Sequence, residues 1–129
     1  MRALSVALLV SSFALVAIIQ SWPLLLHLDS AVTGQVGGDT GVYLWNLWVF
    51  RSELLSGHFP FTTDSIFVPV GQANLSLHNY TVAADLVGTP LQSVVSVVTA
   101  FNLIYLANVT LAGVGGFLLA RRALRNHDV

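Results

Sequence analysis

Carboxylates are the side chains of this sequence best suited to chemistry, and Asp39 occupies the most suggestive position among them. It follows Gly37 and Gly38 and opens an apolar run that predicts a helix up to Ser56, with Gly57 as the stop. An aspartate there can act as the N-cap, accepting a backbone N–H and complementing the helix dipole. It can equally serve as an anionic ligand or general base held just outside a membrane. The sequence leaves both roles open.

A polar stripe runs along this predicted helix. Asp39, Asn46 and Glu53 are spaced by seven residues, so they fall within about 40° of one another around the helix axis. The other side chains of the run are apolar nearly all the way round, so we expect the stripe to face water or a site. Asp39 and Glu53 cannot share a metal ion, because fourteen helical residues separate them by about 21 Å.

Beyond Gly57 the sequence is rich in proline and glycine, which predicts a shaped, non-helical loop. This loop carries Asp64 and His78, which together with Asp39 supply oxygen and nitrogen ligands of types that bind divalent cations. Their separations match no metal motif of defined geometry, so a divalent metal cofactor is left open. The sequence has no phosphate-binding glycine loop, no zinc helix motif and no recognisable Ser-His-Asp arrangement. Any chemistry therefore rests on carboxylates.

The composition is that of a membrane protein. Of 129 residues, 55% are hydrophobic and 9% are charged, against roughly 25% charged in soluble domains. No charged residue occurs from Ala3 to Leu28 or from Leu86 to Ala120, and the polar surface of five arginines and six acidic residues is too small for a soluble single domain. The net charge of -1 and the absence of lysine argue against nucleic acid as a partner. The absence of cysteine excludes disulfides and thiolate metal sites.

The two uncharged stretches predict two transmembrane helices. The first occupies residues 1–28 and the second residues 99–122, followed by a tail over 123–129, and about twenty helical residues cross a hydrocarbon core of roughly 30 Å. A cleaved signal peptide is the alternative for the first stretch, but its apolar core is longer than usual and Trp22 suits an interface anchor. Four of the five arginines lie outside the intervening loop. The positive-inside rule therefore places both termini in the cytoplasm and the loop outside the cytoplasmic membrane.

The loop, residues 29–98, is expected to lie on the outer membrane surface. It carries five acidic residues and one basic residue, a net charge of about -4. Its apolar segments at about 40–56 and 81–96 predict interfacial helices, where Trp and Tyr are favoured. The expected fold is an all-α integral membrane protein, with two transmembrane helices joined by a long extracytoplasmic loop that contains interfacial helices.

Each predicted span has one face of small residues spaced by four. These faces are formed by Ala3, Ala7 and Ser11 in the first span and by Asn108, Ala112, Gly116 and Ala120 in the second. Small residues in register let helices approach closely. The expected partners are therefore further transmembrane helices or a second copy of the chain, together with membrane lipid.

The order of these features carries a resemblance. A basic N-terminus precedes a span ending in Trp-Pro-Leu-Leu, and then come the segment GGDTGVYLWNLWVFRSELLSGHFPFTTDSIFVPVG, the letters LSLH and a second span ending in LLARRAL. This arrangement resembles the N-terminal portion of polytopic membrane glycosyltransferases of the GT-C fold, over nearly the whole chain. The resemblance implies a first outer loop with a catalytic carboxylate. It also implies transfer of a sugar from a polyprenyl-phosphate donor to an acceptor on the outer face.

The resemblance also suggests roles for particular residues. The position that matches the family's acidic residue after the first span is Asp39, which would act as the general base towards an acceptor hydroxyl. The helix from Gly41 to Ser56 would lie beside the donor's lipid, and Arg51 is the one basic residue of the loop available to a donor phosphate. Candidate substrate-binding residues in the same loop are Asn46, Arg51, Asp64 and His78.

Enzymes of that family have many more spans than the two expected here. The 129 residues are therefore expected to correspond to a fragment that is inactive alone. The alternative is a non-catalytic two-span protein whose outer loop docks on a membrane assembly. That alternative is favoured by the lack of a complete catalytic constellation.

Overall fold

The computed structural model describes residues 3–35, 38–66, 71–76 and 80–125. This part of the chain is mostly helical, with four α-helices and one two-stranded sheet. The elements are α1 (Ala3–Gln20), a 3-10 turn (Leu24–Leu26), α2 (Thr40–Leu55), β1 (Thr62–Thr63), β2 (Ala73–Asn74), α3 (Val82–Leu91) and α4 (Val97–Arg125). The expectation of a mainly helical chain is confirmed, and the short sheet was not expected.

Helix α4 is long and apolar enough to cross a membrane. It has 29 residues, about 43 Å at the rise of an α-helix, and basic side chains occupy its last turn. Ser96 opens it as an N-cap, because the backbone N–H of Thr99 donates to the Ser96 hydroxyl (3.1 Å). The helix begins two residues before the predicted span of 99–122 and ends three residues after it.

Helix α1 is shorter than the predicted span of residues 1–28. It has 18 residues and ends at Gln20, where the Ser21 hydroxyl donates to the Ala17 carbonyl (2.7 Å) and Pro23 follows. Proline has no backbone N–H and cannot extend the helix. By length and composition, one helix of the described residues, α4, qualifies as a membrane span. The two-span topology therefore remains a proposal.

The chain divides into two compact units. We call Met1–His27 together with Tyr105–Val129 the terminal unit, and Leu28–Ile104 the loop unit. In the terminal unit, α1 packs on α4 at Gly113, where an added Cβ would lie 2.3 Å from Cδ1 of Phe13. Glycine at this position therefore permits the close approach of the two helices.

The small-residue face expected to mediate helix packing in the second span lies on the surface of α4. Its four members, Asn108, Ala112, Gly116 and Ala120, are all exposed, and an added Cβ at Gly116 would meet nothing within 4 Å. The α1 contact instead involves the Gly113 side of α4, where an apolar groove of about 340 Å³ is lined by Val10, Ala14, Ile18, Leu106, Ala107, Thr110 and Leu111. The small-residue face thus remains available to another helix.

In the loop unit, α2 packs against α3 and β1. The Gln92 side-chain amide joins the two helices by donating to the Leu47 carbonyl (3.0 Å). Strands β1 and β2 pair antiparallel with Thr62 opposite Asn74. Helix α3 ends at Leu91, five residues short of the expected 96, because the chain turns before Ser96 starts the next helix.

Asn102, near the start of α4, forms hydrogen bonds with the first segment of the loop unit. Its side-chain amide donates to the carbonyls of Leu28 (2.9 Å) and Ala31 (2.7 Å). The Asn102 side chain is fully buried. The first and last segments of the unit are therefore fastened to one another.

The loop unit has an unusual distribution of polarity. Val49 is the one apolar member of the five largest fully buried side chains in the described residues, and the polar members are Asn46, Asn102, Thr63 and Asp85. Large apolar side chains are in turn exposed on the unit's surface, including Trp48, Leu55, Leu86, Val87 and Val94. Such a distribution suits a unit in contact with lipid, because polar side chains at a membrane face the protein interior.

Candidate functional site

Helix α2 positions the polar stripe, and the stripe mostly faces inward. Asp39 at the helix N-terminus is exposed, whereas Asn46 is fully buried and Glu53 is 7% exposed. Phe50, which is also buried, lies on the same side of the helix. Of the stripe that we expect to face water or a site, Asp39 faces water, whereas Asn46 and Glu53 face the packed interior.

The Asp39 carboxylate is free of a capping role within the described part of the chain. Asp39 occupies the N-cap position but has helical dihedral angles (φ -70°, ψ -8°), and its side chain makes no cap hydrogen bond. Its backbone carbonyl accepts from the N–H groups of Val42 (3.0 Å) and Tyr43 (3.1 Å). The start of the helix is fixed instead by Thr40, whose hydroxyl donates to the Thr33 carbonyl (3.1 Å).

A hydrogen-bonded network surrounds Glu53 at the other end of α2. The Thr63 hydroxyl, itself fully buried, donates to Glu53 Oε1 (2.6 Å). Nδ1 of His58 lies 3.0 Å from Glu53 Oε2. The backbone N–H of Ser65 donates to the Thr63 hydroxyl (3.1 Å). Both carboxylate oxygens of Glu53 thus have partners, and the His58 side chain extends to the surface, where it is 56% exposed.

The turn after α2 brings these groups together. Gly57 is left-handed (φ 76°), and its N–H donates to the Leu54 carbonyl (3.2 Å) while the His58 N–H donates to the Glu53 carbonyl (2.9 Å). These are the two bonds of a Schellman motif, which places the third-last residue of the helix beside the third residue after its end. Those two residues are Glu53 and His58.

Tyr80 and Asp85 form a second polar pair inside the loop unit. The Tyr80 hydroxyl donates to the Pro60 carbonyl (3.1 Å), and its ring contacts those of Phe50 and Phe61. Burial, with the negative charges of Asp85 and Glu53 adding to it, raises the pKa of Tyr80 from 10.0 to about 12. Tyr80 therefore stays a neutral hydrogen-bond donor at physiological pH.

Asp85 is buried in the first turn of α3 and is 1% exposed. Its Oδ2 atom has no hydrogen-bond partner among the described residues. Burial raises the pKa of this carboxyl from 3.8 to about 6, while a backbone hydrogen bond from Thr81 acts in the opposite direction. An aspartate just before a long uncharged stretch is typical of a membrane boundary, but the Asp85 side chain is in the interior of the unit.

The candidate substrate-binding residues do not form a single group with Asp39. Arg51 lies twelve residues further along α2, about 18 Å, and is half-buried, with an Nε atom that has no partner in the described ranges. Asp64 is exposed just after β1, and His78 lies outside the described residues. Asn46 is inaccessible to a ligand at the surface, because it is fully buried.

The structure offers no ready metal centre in the part of the chain that it describes. No group of three or more His, Asp or Glu side chains is placed to hold an ion among those residues. The chemistry that the described residues support is proton transfer or hydrogen bonding at two separate places. These places are the exposed Asp39 carboxylate and the exposed imidazole of His58.

Comparison with known proteins does not indicate a family or a function for this chain. No family model, curated protein or solved structure matches the chain. The function must therefore be argued from the geometry of these residues and from the resemblance carried by the sequence.

Proposed function

We propose that this chain acts as the front part of a membrane glycosyltransferase of the GT-C type. In this proposal the loop unit lies on the outer face of the cytoplasmic membrane, and both termini lie in the cytoplasm. Asp39 is the general base that takes a proton from an acceptor hydroxyl. The oxygen then attacks the anomeric carbon of a polyprenyl-phosphate sugar, and the lipid phosphate leaves. Further transmembrane helices complete the enzyme.

The observation that carries the proposal is the exposed Asp39 carboxylate. A carboxylate that serves only to cap a helix accepts a backbone N–H, and the Asp39 side chain makes no such bond. It is exposed at the N-terminal end of α2. A carboxylate that an acceptor hydroxyl can reach is what a general base requires.

The surface of α3 supports a location beside lipid. Its one charged residue, Asp85, is buried, and its exposed side chains include Val82, Leu86 and Val87. Five residues connect its end at Leu91 to α4, so α3 lies no more than about 20 Å from the start of the candidate span. An uncharged apolar helix on so short a connection suits the membrane interface.

Helix α2 is suited to a lipid-linked donor. Trp48, Leu54 and Leu55 are exposed along its length, and the helix leads away from Asp39. A donor with a polyprenyl tail needs an apolar surface next to the site where its phosphate and sugar react. The exposed side of α2 supplies such a surface, and Arg51 is the basic side chain along it that could approach a phosphate.

Asp39→Asn tests the proposal, because asparagine keeps the shape and the capping ability of aspartate but is not a base. The full-length variant would be expressed in cells whose own copy is deleted, and their membranes assayed with polyprenyl-phosphate mannose and polyprenyl-phosphate glucose labelled in the sugar. We expect at least a hundredfold loss of transfer, in line with the removal of a general base. Abundance and thermal stability should be unchanged.

Asp29→Asn is the matched control, because Asp29 is an exposed aspartate in the same unit. It should transfer sugar at the rate of the unmodified chain. Full transfer activity in Asp39→Asn would remove this residue from the mechanism.

A second candidate function is docking on a membrane assembly without catalysis. It is favoured by the exposed face of small residues on α4 and by the open space around Gly115 and Gly116. For a docking protein we expect no deletion-dependent sugar transfer at all. Leucine in place of Gly116 should then release the chain from its complex, because the added side chain blocks close helix approach.

A further inference from the structure

His58 has an acceptor nitrogen that is fixed by the network behind it. The N–H of Ser65 donates to the Thr63 hydroxyl (3.1 Å), so the hydrogen of that hydroxyl is directed to Glu53 Oε1 (2.6 Å). An ionised carboxylate only accepts hydrogen bonds, so Nδ1 of His58 donates to Glu53 Oε2 (3.0 Å). Neutral His58 therefore carries its hydrogen on Nδ1 and a lone pair on Nε2.

An exposed aromatic ring lies next to His58 in the chain. Phe59 is 65% exposed, and its ring packs on Phe61 with 5.2 Å between centroids. Phe61 is held in turn by edge contacts with Phe50 (6.1 Å) and Tyr80 (5.3 Å). Phe59 is therefore backed by an aromatic cluster while much of its surface stays open.

This combination matches the chemistry of a pyranose. A sugar ring has an apolar C–H face, which an aromatic ring covers, and hydroxyl groups, which donate to an imidazole nitrogen. Sites for small ligands commonly combine apolar or aromatic side chains with a few polar groups held in place. His58 is held by a buried carboxylate and Phe59 by other rings.

We propose that His58 and Phe59 form a carbohydrate-binding site at the C-terminal end of α2. Nε2 of His58 accepts a hydrogen bond from a pyranose hydroxyl, and the ring of Phe59 covers the C–H face. Glu53 is a positioning residue, because it holds the imidazole in the Nδ1–H form. The site is separated from Asp39 by the 16 residues of α2, about 24 Å. It does not depend on sugar transfer at Asp39, so the two proposals fail separately.

The first test is the tautomer of His58, measured by nitrogen-15 NMR on the histidine-labelled full chain in detergent micelles. Comparison with His58→Gln assigns its signals among the four histidines. We expect a protonated Nδ1 and a bare Nε2. In Glu53→Gln the new amide can accept from Thr63 and donate to Nδ1, so the hydrogen should move to Nε2. An Nε2–H form in the unmodified chain, or no change in Glu53→Gln, would overturn the role of Glu53.

The second test is titration of the same sample with methyl mannopyranoside and methyl glucopyranoside, and separately with vesicles containing a glycosyl diacylglycerol. A shift of the His58 signals with either probe supports the site, and the responding probe shows whether the sugar is free or a lipid headgroup. In Glu53→Gln, Nε2 carries the hydrogen and no longer accepts from a pyranose hydroxyl, so the affinity should fall. Absence of any His58 shift with both probes would refute the proposal.

Phe59→Leu keeps the test decisive if Glu53→Gln fails to fold. Leucine retains apolar bulk but has no flat face, and we expect about tenfold weaker binding with the His58 tautomer unchanged. Val94→Ala is the control, because Val94 is an exposed apolar side chain of the same unit outside the proposed site. Equal affinity in Phe59→Leu and Val94→Ala would exclude Phe59 from the binding surface.

Discussion

Replacing Asp85 with asparagine is expected to stabilise the loop unit at neutral pH and to destabilise it by about 1 kcal/mol in acid, where the carboxyl is neutral and the cost of the buried amide remains. Asp85 is 1% exposed, and its Oδ2 atom has no partner among the described residues. An ionised carboxylate in that position is poorly solvated and poorly paired. Asparagine has nearly the same shape and cannot ionise, so the substitution removes the charge while it leaves the packing in place.

The direction of the pH dependence follows from the raised pKa of Asp85. Its folded-state pKa is about 6 and its ordinary value is 3.8, so the folded chain binds the proton more tightly than the unfolded chain. The contribution of this carboxyl to the free energy of unfolding is largest below pH 3.8 and decreases as the pH rises to about 6. Above that pH the contribution no longer changes. The difference between the two pKa values corresponds to about 3 kcal/mol.

The substitution recovers part of this free energy. A buried amide hydrogen without an acceptor costs about 1 kcal/mol, so Asp85→Asn should be more stable than the unmodified chain by about 2 kcal/mol at pH 8. The assay is denaturant unfolding of the full chain in detergent micelles, followed by tryptophan fluorescence between about pH 4 and pH 8. The difference between the two chains isolates Asp85 from the other carboxylates.

Asp64→Asn is the control, because Asp64 is exposed and its charge is solvated. Its unfolding free energy should follow that of the unmodified chain at every pH. A constant difference between Asp85→Asn and the unmodified chain across the pH range would refute the argument. Lower stability of Asp85→Asn at pH 8 would do the same, since it would mean that the ionised carboxylate is well paired.

Two further results are expected. Gly88→Ala should destabilise the loop unit by about 1 kcal/mol, because the new methyl group would lie 2.3 Å from Cδ1 of the buried Leu47 and the cost of overpacking exceeds the gain in helix propensity. Gly41→Ala is the control, because an added Cβ there would meet nothing within 4 Å, and it should be neutral or stabilising by about 0.5 kcal/mol. Equal losses of unfolding free energy in both variants would show that the α2–α3 contact is not tight. Because the sequence has no cysteine, single replacements Ser56→Cys and Ala123→Cys can report topology. An impermeant maleimide should label the first and spare the second in intact cells, and the reverse pattern would place the loop unit in the cytoplasm.

The sequence was sufficient to predict the polar stripe of α2 but not whether the stripe faces water or the protein interior. A spacing of seven residues is enough to place Asp39, Asn46 and Glu53 on one side of a helix. Whether that side faces water depends on what packs against it, and the rest of the helix is apolar nearly all round. The packing of α2 against α3 and β1 is a tertiary contact, which no local pattern of this chain contains.

The Glu53 network could have been found from the sequence. Gly57 was expected as the stop of the helix, and a left-handed glycine there creates a Schellman turn. That turn places Glu53 beside His58, so a glutamate four residues before the glycine and a histidine directly after it indicate a pair. Thr63 could not have been assigned in the same way, because it lies in β1 and the packing of that strand on α2 is a tertiary contact.

Membrane spans were predictable only in part. The end of the first apolar stretch depends on Pro23 and the turn around it, and a run of leucines after the proline made the stretch look longer than the helix. Asp85 was misleading for a different reason. An isolated charge at the edge of an apolar run suggests a water boundary, and burial of a carboxylate becomes acceptable only when its pKa is raised.

The distribution of polarity in the loop unit bears on how the chain reaches its native state. For a water-soluble domain, collapse in solvent buries most of the greasy side chains and supplies most of the driving force. In the loop unit many large apolar side chains remain exposed in the folded structure, so they leave water only when they contact hydrocarbon. For a loop unit that lies on the membrane as we propose, insertion and folding would be a single event, and the nascent loop would acquire its shape at the bilayer.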